Sequence, residues 1–162
     1  MRGLEAMVDA GRLIKRIQEM RDEGYLSDAI LRESVKQLKT ADVDYHFVGV
    51  YLHNADEQIL WLHNYMGEPT EHARIEVGQG VCGTAVAEKK NQNVADVTQV
   101  ENYLACSPKT KSELVVLIRA GDEIFGQIDI DSKVKDAFSR QDQEAIEMVA
   151  DKLSEVFMAE RR

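Results

Sequence analysis

Two cysteines and three carboxylates carry the chemistry that this sequence could perform. Cys82 lies within the glycine-rich segment GQGVCG, and Cys106 precedes the polar segment SPKTK. A thiolate is a nucleophile that can cycle through a sulfenic acid and a disulfide. The carboxylates are Glu113, at the start of an apolar segment, and Asp129 and Asp131, two positions apart in the segment IDID. These residue types favour thiol redox chemistry beside an acidic ligand site.

Each cysteine also allows a plainer interpretation. A helix beginning after the glycines would place the Cys82 thiol near a helix N-terminus, which lowers a thiol pKa, and the flanking glycines would leave its surroundings uncrowded. Cys82 could equally be a small buried residue in a tight turn. Cys106 is expected at the accessible end of an element, where Lys109 and Lys111 would favour its thiolate, or else as an ordinary half-buried cysteine.

Alternation places the aspartates on one face of a strand. Asp129 and Asp131 point one way and the neighbouring isoleucines the other, so the apolar face must be the core. Glu113 opens the partner strand of the same predicted hairpin and could reach the acidic face. Three carboxylates around one hollow would raise at least one pKa, although a solvated acidic strand end is the alternative. Zinc held by Cys82, Cys106 and a histidine is disfavoured because neither cysteine has a C-x-x-C partner, and no metal is expected.

The elements that must position these residues follow from periodicity. Apolar residues at helical spacing predict two helices within residues 1–40, with Ser27 as N-cap of the second, and a long C-terminal helix capped by Ser139 and Asp142. Alternating segments between them predict a sheet with two hairpins. The strands are expected near 46–52, 59–65, 74–77, 94–97, 113–118 and 124–131, with a short helix near 81–88. Helices at both ends of an antiparallel sheet make an α+β fold, and the 162 residues are expected to form one domain.

Composition excludes several classes of protein. The formal net charge is −9, and there is no block of like charges, which disfavours nucleic acid and anionic membrane surfaces as partners. No apolar run approaches the roughly 20 residues that a membrane span requires. A signal peptide is not expected, and the 2 cysteines are too few for a disulfide framework, so the expected location is a reducing cytoplasm.

The motifs resemble a known family. The series GQGVCGTAVA, VADV, YLACSPKTKSELVVLI and GQIDIDS is similar to a GAF domain and, more narrowly, to the free methionine-R-sulfoxide reductases. The resemblance extends from about residue 46 to residue 153 of a single GAF domain spanning 1–162, with N-terminal helices in 1–40 and the sheet and C-terminal helix in 46–157. It implies a GAF-like antiparallel sheet, flanked by N- and C-terminal helices, with a ligand pocket on one face.

The resemblance also implies roles for individual residues. Cys106 would be the catalytic thiol and Cys82 its redox partner, forming a disulfide that thioredoxin reduces, with no bound cofactor. The residues implied to contact free methionine-(R)-sulfoxide are Glu113, Asp129, Asp131, Phe47 and Tyr51, the last two as an aromatic wall on the first strand. The family usually has a further cysteine ten residues before the GVCG cysteine, where this chain has His72.

Two alternatives stay open. A non-catalytic GAF module that binds a small ligand or senses redox state would share many of these positions. The amphipathic first and last helices also make a homodimer possible in either case.

Overall fold

The computed structural model describes residues 6–104 and 107–161, which form four α-helices, six strands and a short 3₁₀ helix. The remaining residues, 1–5, 105, 106 and 162, lie outside this description. The elements are α1 (Ala10–Asp22), α2 (Ser27–Lys39), β1 (Tyr45–Asn54), β2 (Ile59–Gly67), β3 (Arg74–Glu76), α3 (Gly80–Glu88), β4 (Gln92–Val94), the 3₁₀ helix (Val97–Gln99), β5 (Ser112–Ala120), β6 (Glu123–Ser132) and α4 (Arg140–Glu160). None of the described helices is both long enough and apolar enough to span a membrane.

The strands form one antiparallel sheet in the order β3-β2-β1-β6-β5-β4. Both predicted hairpins, β1–β2 and β5–β6, are present, and they meet where β1 pairs with β6. This arrangement confirms the predicted α+β class, an antiparallel sheet with helices at both ends of the chain. Because β1, β6 and β5 are neighbours at the centre of the sheet, side chains from the first and last strands meet on one surface.

One face of the sheet carries the larger core. Alternate strand residues, such as Val48, Val50, Ile128 and Ile130, pack against α1, α2 and α4 and are excluded from solvent. Burial of each such aliphatic side chain contributes on the order of 1.5–3 kcal/mol, so this layer supplies most of the apolar stabilisation. The apolar stripes of α1 and α4, on which the expectation of a homodimer rested, are buried in this core.

The opposite face is covered by α3 and the loops around it. α3 packs on β5 and β6, and its apolar residues form a second, smaller core with Tyr51, Ile75 and Val115. A Cβ atom at Gly83 would lie 2.6 Å from the carbonyl oxygen of Glu76, a contact that real side chains do not make. Glycine at this position therefore allows α3 to approach the backbone closely enough to cover the sheet.

Two details of the helices and strands differ from expectation. Ser27 is the first residue of α2 rather than its N-cap, because Leu26 occupies the N-cap position and makes no side-chain capping bond. The Ser27 N–H donates instead to the Glu160 carboxylate at the end of α4. β4 lies at Gln92–Val94, ahead of the predicted 94–97, and a 3₁₀ turn follows it. The capping box of Ser139 and Asp142 on α4 is confirmed.

Candidate active site

The face of the sheet under α3 brings the predicted carboxylates together. Glu113 on β5 pairs with Asp131 on β6, and Phe47 on β1 pairs with Asp131 from the other side. Directly paired residues share a face of the sheet. The side chains on the face toward α3 therefore include Glu113, both aspartates and Phe47, together with Tyr51, which pairs with Gln127. All three carboxylates are almost completely buried, with 5% exposure at Glu113 and 1% at each aspartate.

Cys82 lies against this acidic surface on the helix that covers it, α3. It lies in the first turn of α3, is 5% exposed, and its Sγ is 3.9 Å from Oε2 of Glu113. The Nε2 atom of Gln127, on the same face of β6 as Asp129, donates a hydrogen bond of 3.1 Å to the Cys82 carbonyl oxygen. The helix that carries the thiol is thus held to the strand that carries the acids.

The four groups of this acid–thiol site (Cys82, Glu113, Asp129 and Asp131) oppose one another's ionisation. Burial raises the pKa of Asp131 well above its ordinary value, and the charge of Asp129 adds to the effect. Burial also raises the pKa of Asp129, although hydrogen bonds to Glu113 and Cys82 act in the opposite direction. The expected rise in a carboxyl pKa is therefore confirmed, and its first cause is loss of water rather than like charge.

One of the two interpretations of Cys82 is confirmed and the other is wrong: the residue is small and buried, but its thiol does not have a lowered pKa. Its pKa is raised well above the ordinary value, first by burial and then by the charges of Asp129, Glu113 and Asp131. The helix N-terminus is present, but three nearby carboxylates outweigh its partial charge. The surroundings are also crowded, since Gly83 permits close backbone packing. Cys82 is therefore a protonated, shielded thiol at neutral pH.

A small cavity of about 10 Å³ lies between α3 and the acids. This volume holds about one water molecule. The described residues that line it include Tyr51, His72, Leu104, Cys82, Glu113 and Asp129. The Tyr51 hydroxyl donates a hydrogen bond of 2.8 Å to the backbone oxygen of His72. This bond fixes the Tyr51 side chain, which forms one wall of the cavity. Phe47 is not among these lining residues; its ring stacks on Tyr65, with the ring centres 5.4 Å apart.

Cys106 lies outside the described residues, so its distance from Cys82 stays a prediction. The chain that follows it is attached to the sheet. Thr110 Oγ1 and His46 Nε2 are hydrogen-bonded at 2.9 Å, and the Lys111 N–H donates to the Ser132 oxygen at 2.8 Å. Lys109, expected to favour the Cys106 thiolate, forms an ion pair of 3.3 Å with Glu68. These contacts anchor the downstream end of the cysteine segment beside the acidic strand.

One site residue was missed in the sequence. Gln127 is completely buried, contacts Cys82, and shares the face of β6 that carries both aspartates. The period of two that predicted a common face for Asp129 and Asp131 extends to position 127 and could have found it. His72 was considered only as a replaced cysteine, whereas its backbone oxygen binds Tyr51.

Removal of one acid is expected to lower the pKa of the Cys82 thiol. In a Cys106→Ser background, Cys82 is the single thiol of the chain. The far-ultraviolet absorbance of its thiolate is expected to titrate at lower pH in Asp129→Asn, because a negative charge that opposes ionisation is lost. Asp56→Asn makes the same change at an exposed turn and serves as the control. Equal midpoints in the two variants would contradict this electrostatic account.

Comparison with known proteins identifies relatives of the same architecture. Residues 27–156 match the family model described as GAF domain. A free methionine-R-sulfoxide reductase of Saccharomyces cerevisiae is 38% identical over 114 residues, covering 69% of this chain and 63% of that protein. The chain thus spans less than two thirds of this relative's length.

Solved structures agree with this comparison. The free methionine-R-sulfoxide reductase of Neisseria meningitidis, in complex with its substrate, superimposes with a TM-score of 0.85 at 28% identity, covering 94% of this chain and 90% of that one. A type II enzyme from Thermoplasma acidophilum gives 0.76 at 34% identity, covering 82% and 93%. Because the family model covers most of the chain and the sheet and its helices repeat the relatives' fold, the chain belongs to the GAF domain family.

Proposed function

We propose that this protein reduces free methionine-(R)-sulfoxide to methionine, with Cys106 as the attacking thiol and Cys82 as its redox partner. The observation that carries the proposal is the acid–thiol site, in which Cys82, Glu113 and Asp129 line one cavity and Asp131, also buried, pairs with Glu113 beside it. Similarity to proteins named free methionine-R-sulfoxide reductase supports the choice of substrate.

The carboxyl groups suit two tasks of the reaction, which are binding of the substrate and protonation of the sulfoxide oxygen. An ionised carboxylate among Glu113, Asp129 and Asp131 would bind the ammonium group of a free amino acid, and charge-assisted bonds of this kind are among the strongest in proteins. A carboxyl whose pKa is raised by burial keeps its proton to a higher pH than an exposed carboxyl does, and it can donate that proton to the sulfoxide oxygen. Tyr51 contributes an apolar wall beside them.

In the first step, the Cys106 thiolate attacks the sulfoxide sulfur while a carboxyl protonates the oxygen. The oxygen is transferred to the cysteine, so that Cys106 becomes a sulfenic acid and methionine leaves. The sulfoxide is reduced by two electrons and the thiol is oxidised by two. Cys82 is not the attacking group in this scheme, because its thiol is protonated and buried.

In the second step, the Cys82 sulfur displaces water from the sulfenic acid of Cys106 and forms a disulfide. An external dithiol of the thioredoxin class then reduces this disulfide and returns both thiols. The acids around Cys82 could accept its proton as the new sulfur–sulfur bond forms. The chain supplies no other cysteine for this step, since position 72 carries histidine.

A GAF module that binds a small ligand without turnover is the second candidate. The histidine at position 72 favours it, because the reductase family usually has an additional cysteine at that position. The two functions make opposite predictions for catalysis and the same prediction for ligand binding.

The deciding experiment is thioredoxin-coupled oxidation of NADPH with free methionine-(R)-sulfoxide. We expect turnover with the R epimer, little with the S epimer, and none in Cys106→Ser. No turnover by the wild type, together with identical behaviour of Cys106→Ser, would contradict the reductase. If methionine sulfoxide still raised the unfolding temperature of that inactive protein, the ligand-binding module would be supported instead.

A further inference from the structure

Three different metal-ligating side chains converge in the buried cavity. Cys82, Glu113 and Asp129 each offer one ligand atom, and these atoms all lie within 4.8 Å of one another. They come from α3, β5 and β6, so the fold, rather than a local sequence motif, brings them together. Zinc held by Cys82, Cys106 and a histidine was disfavoured from the sequence, and C-x-x-C spacing does not reveal a ligand set drawn from three separate elements.

A second observation is a set of buried oxygen atoms on the same surface that have no hydrogen-bond partner among the described residues. Gln127 Oε1, Asp129 Oδ1 and Asp131 Oδ1 are buried and have no hydrogen-bond partner within the described part of the chain. All three lie on one face of β6, and Gln127 contacts the Cys82 backbone through its other amide atom. A buried acceptor without a partner costs about 1–3 kcal/mol, so three such atoms on one surface favour the binding of a cation or a hydrogen-bond donor.

The charge and size of the cavity restrict that ligand. No lysine or arginine is among the described residues that line the cavity. Its volume of about 10 Å³ admits a single small ion or water molecule. A thiolate and carboxylates together suit a borderline-soft divalent ion such as Zn²⁺, since Mg²⁺ and Ca²⁺ prefer sites made of oxygen alone.

We propose that Cys82, Glu113 and Asp129 form a binding site for a divalent cation of the zinc class, with a fourth coordination position open toward the cavity. The distance of 3.9 Å from Cys82 Sγ to Glu113 Oε2 is close to the spacing of two ligands around a tetrahedral zinc ion. Binding replaces the thiol proton with the metal, so affinity rises about tenfold per pH unit for each proton released.

Occupation by a cation also excludes an amino acid substrate. The ion and a substrate ammonium group would compete for the same carboxylates, and the ion would engage the thiol needed for the disulfide. Reversible inhibition by zinc therefore follows, and this consequence rests on the proposed function, whereas metal binding itself does not.

The test uses Co²⁺ alone as the probe, added to the full chain in a Cys106→Ser background under anaerobic conditions. We expect one equivalent to bind and a near-ultraviolet thiolate-to-cobalt band that further substitution by Cys82→Ser abolishes. Zn²⁺ is expected to displace the cobalt. Glu113→Gln and Asp129→Asn are each expected to weaken binding at least about tenfold, since loss of a supporting side chain alone costs 10–100-fold.

Two control variants separate this site from surface binding. His63→Gln removes an exposed pair in which His63 Nε2 lies 2.6 Å from Asp28, and it is expected to leave the cobalt band unchanged. Asp56→Asn is the exposed counterpart of Asp129→Asn. Absence of the thiolate band, or equal affinity in Asp129→Asn and Asp56→Asn, would overturn the proposal. If the band is intact but the wild type shows no sulfoxide turnover, the metal site stands and only the proposed reductase fails.

Discussion

A Cys82→Ser variant is expected to form about one methionine per chain and then stop when thioredoxin is the reductant. The first step uses only the Cys106 thiolate and the carboxyls, so it survives the substitution. Without the second thiol, the sulfenic acid on Cys106 cannot become the disulfide that a dithiol protein reduces. The steady-state rate is expected to fall by a factor on the order of 100 or more, with a retained burst.

Rapid-quench measurement of methionine with excess sulfoxide distinguishes these phases. Cys106→Ser is expected to show no burst, and a small thiol that reduces sulfenic acids directly is expected to restore part of the turnover in Cys82→Ser. Unfolding temperatures check that both variants remain folded. A thioredoxin-supported rate in Cys82→Ser within a few-fold of the wild type would show that Cys82 is not the redox partner.

Asp131→Asn is expected to stabilise the fold while it impairs catalysis. Asp131 is 1% exposed and its Oδ1 has no partner within the described residues. Replacement of this buried carboxyl by a neutral amide is expected to raise the free energy of unfolding by about 1–3 kcal/mol at neutral pH. The new amide can donate to Glu113, which lies opposite on β5. Denaturant unfolding and the coupled assay measure the two effects.

The sign of the pH dependence gives a sharper form of this prediction. The pKa of Asp131 in the folded chain lies well above the ordinary 3.8, so the folded state retains a proton that the unfolded state has lost. The contribution of Asp131 to the free energy of unfolding is therefore fully present below pH 3.8, and it is lost as the pH rises from there through the raised pKa of the folded state. The stability advantage of Asp131→Asn is expected to be small in acid, to grow with pH and then to level off. An advantage that is constant with pH would contradict this origin.

Local periodicity was sufficient to predict the layers of the fold. The alternation of Ile128 and Ile130 with Asp129 and Asp131 predicted which face of β6 carries the core, and the structure confirms it. The alternation near 46–52 likewise predicted a strand, and the structure confirms it as β1. These predictions succeeded because the period of a strand is a property of the chain itself.

The electrostatic surroundings of the site could not be predicted from local periodicity. The pKa of Cys82 depends on carboxylates more than 30 positions away, which the close packing of α3 on the sheet brings near the thiol. The interpretation based on the local helix N-terminus therefore gave the wrong direction for the pKa, whereas the alternative of a small buried residue was correct. Ser27 failed similarly, because a long-range contact with Glu160 replaces the local cap.

The two faces of the sheet also differ in which substitutions they tolerate during evolution. All members of the acid–thiol site lie on α3 or on the sheet face toward it, whereas α1, α2 and α4 cover the reverse face. Substitutions that conserve volume in the helical layer can accumulate without altering the charges around the ligand. Conversely, exchange of a few residues on the α3 side can redirect the same scaffold from redox chemistry to recognition of another small molecule, because the core that maintains the fold lies behind the sheet.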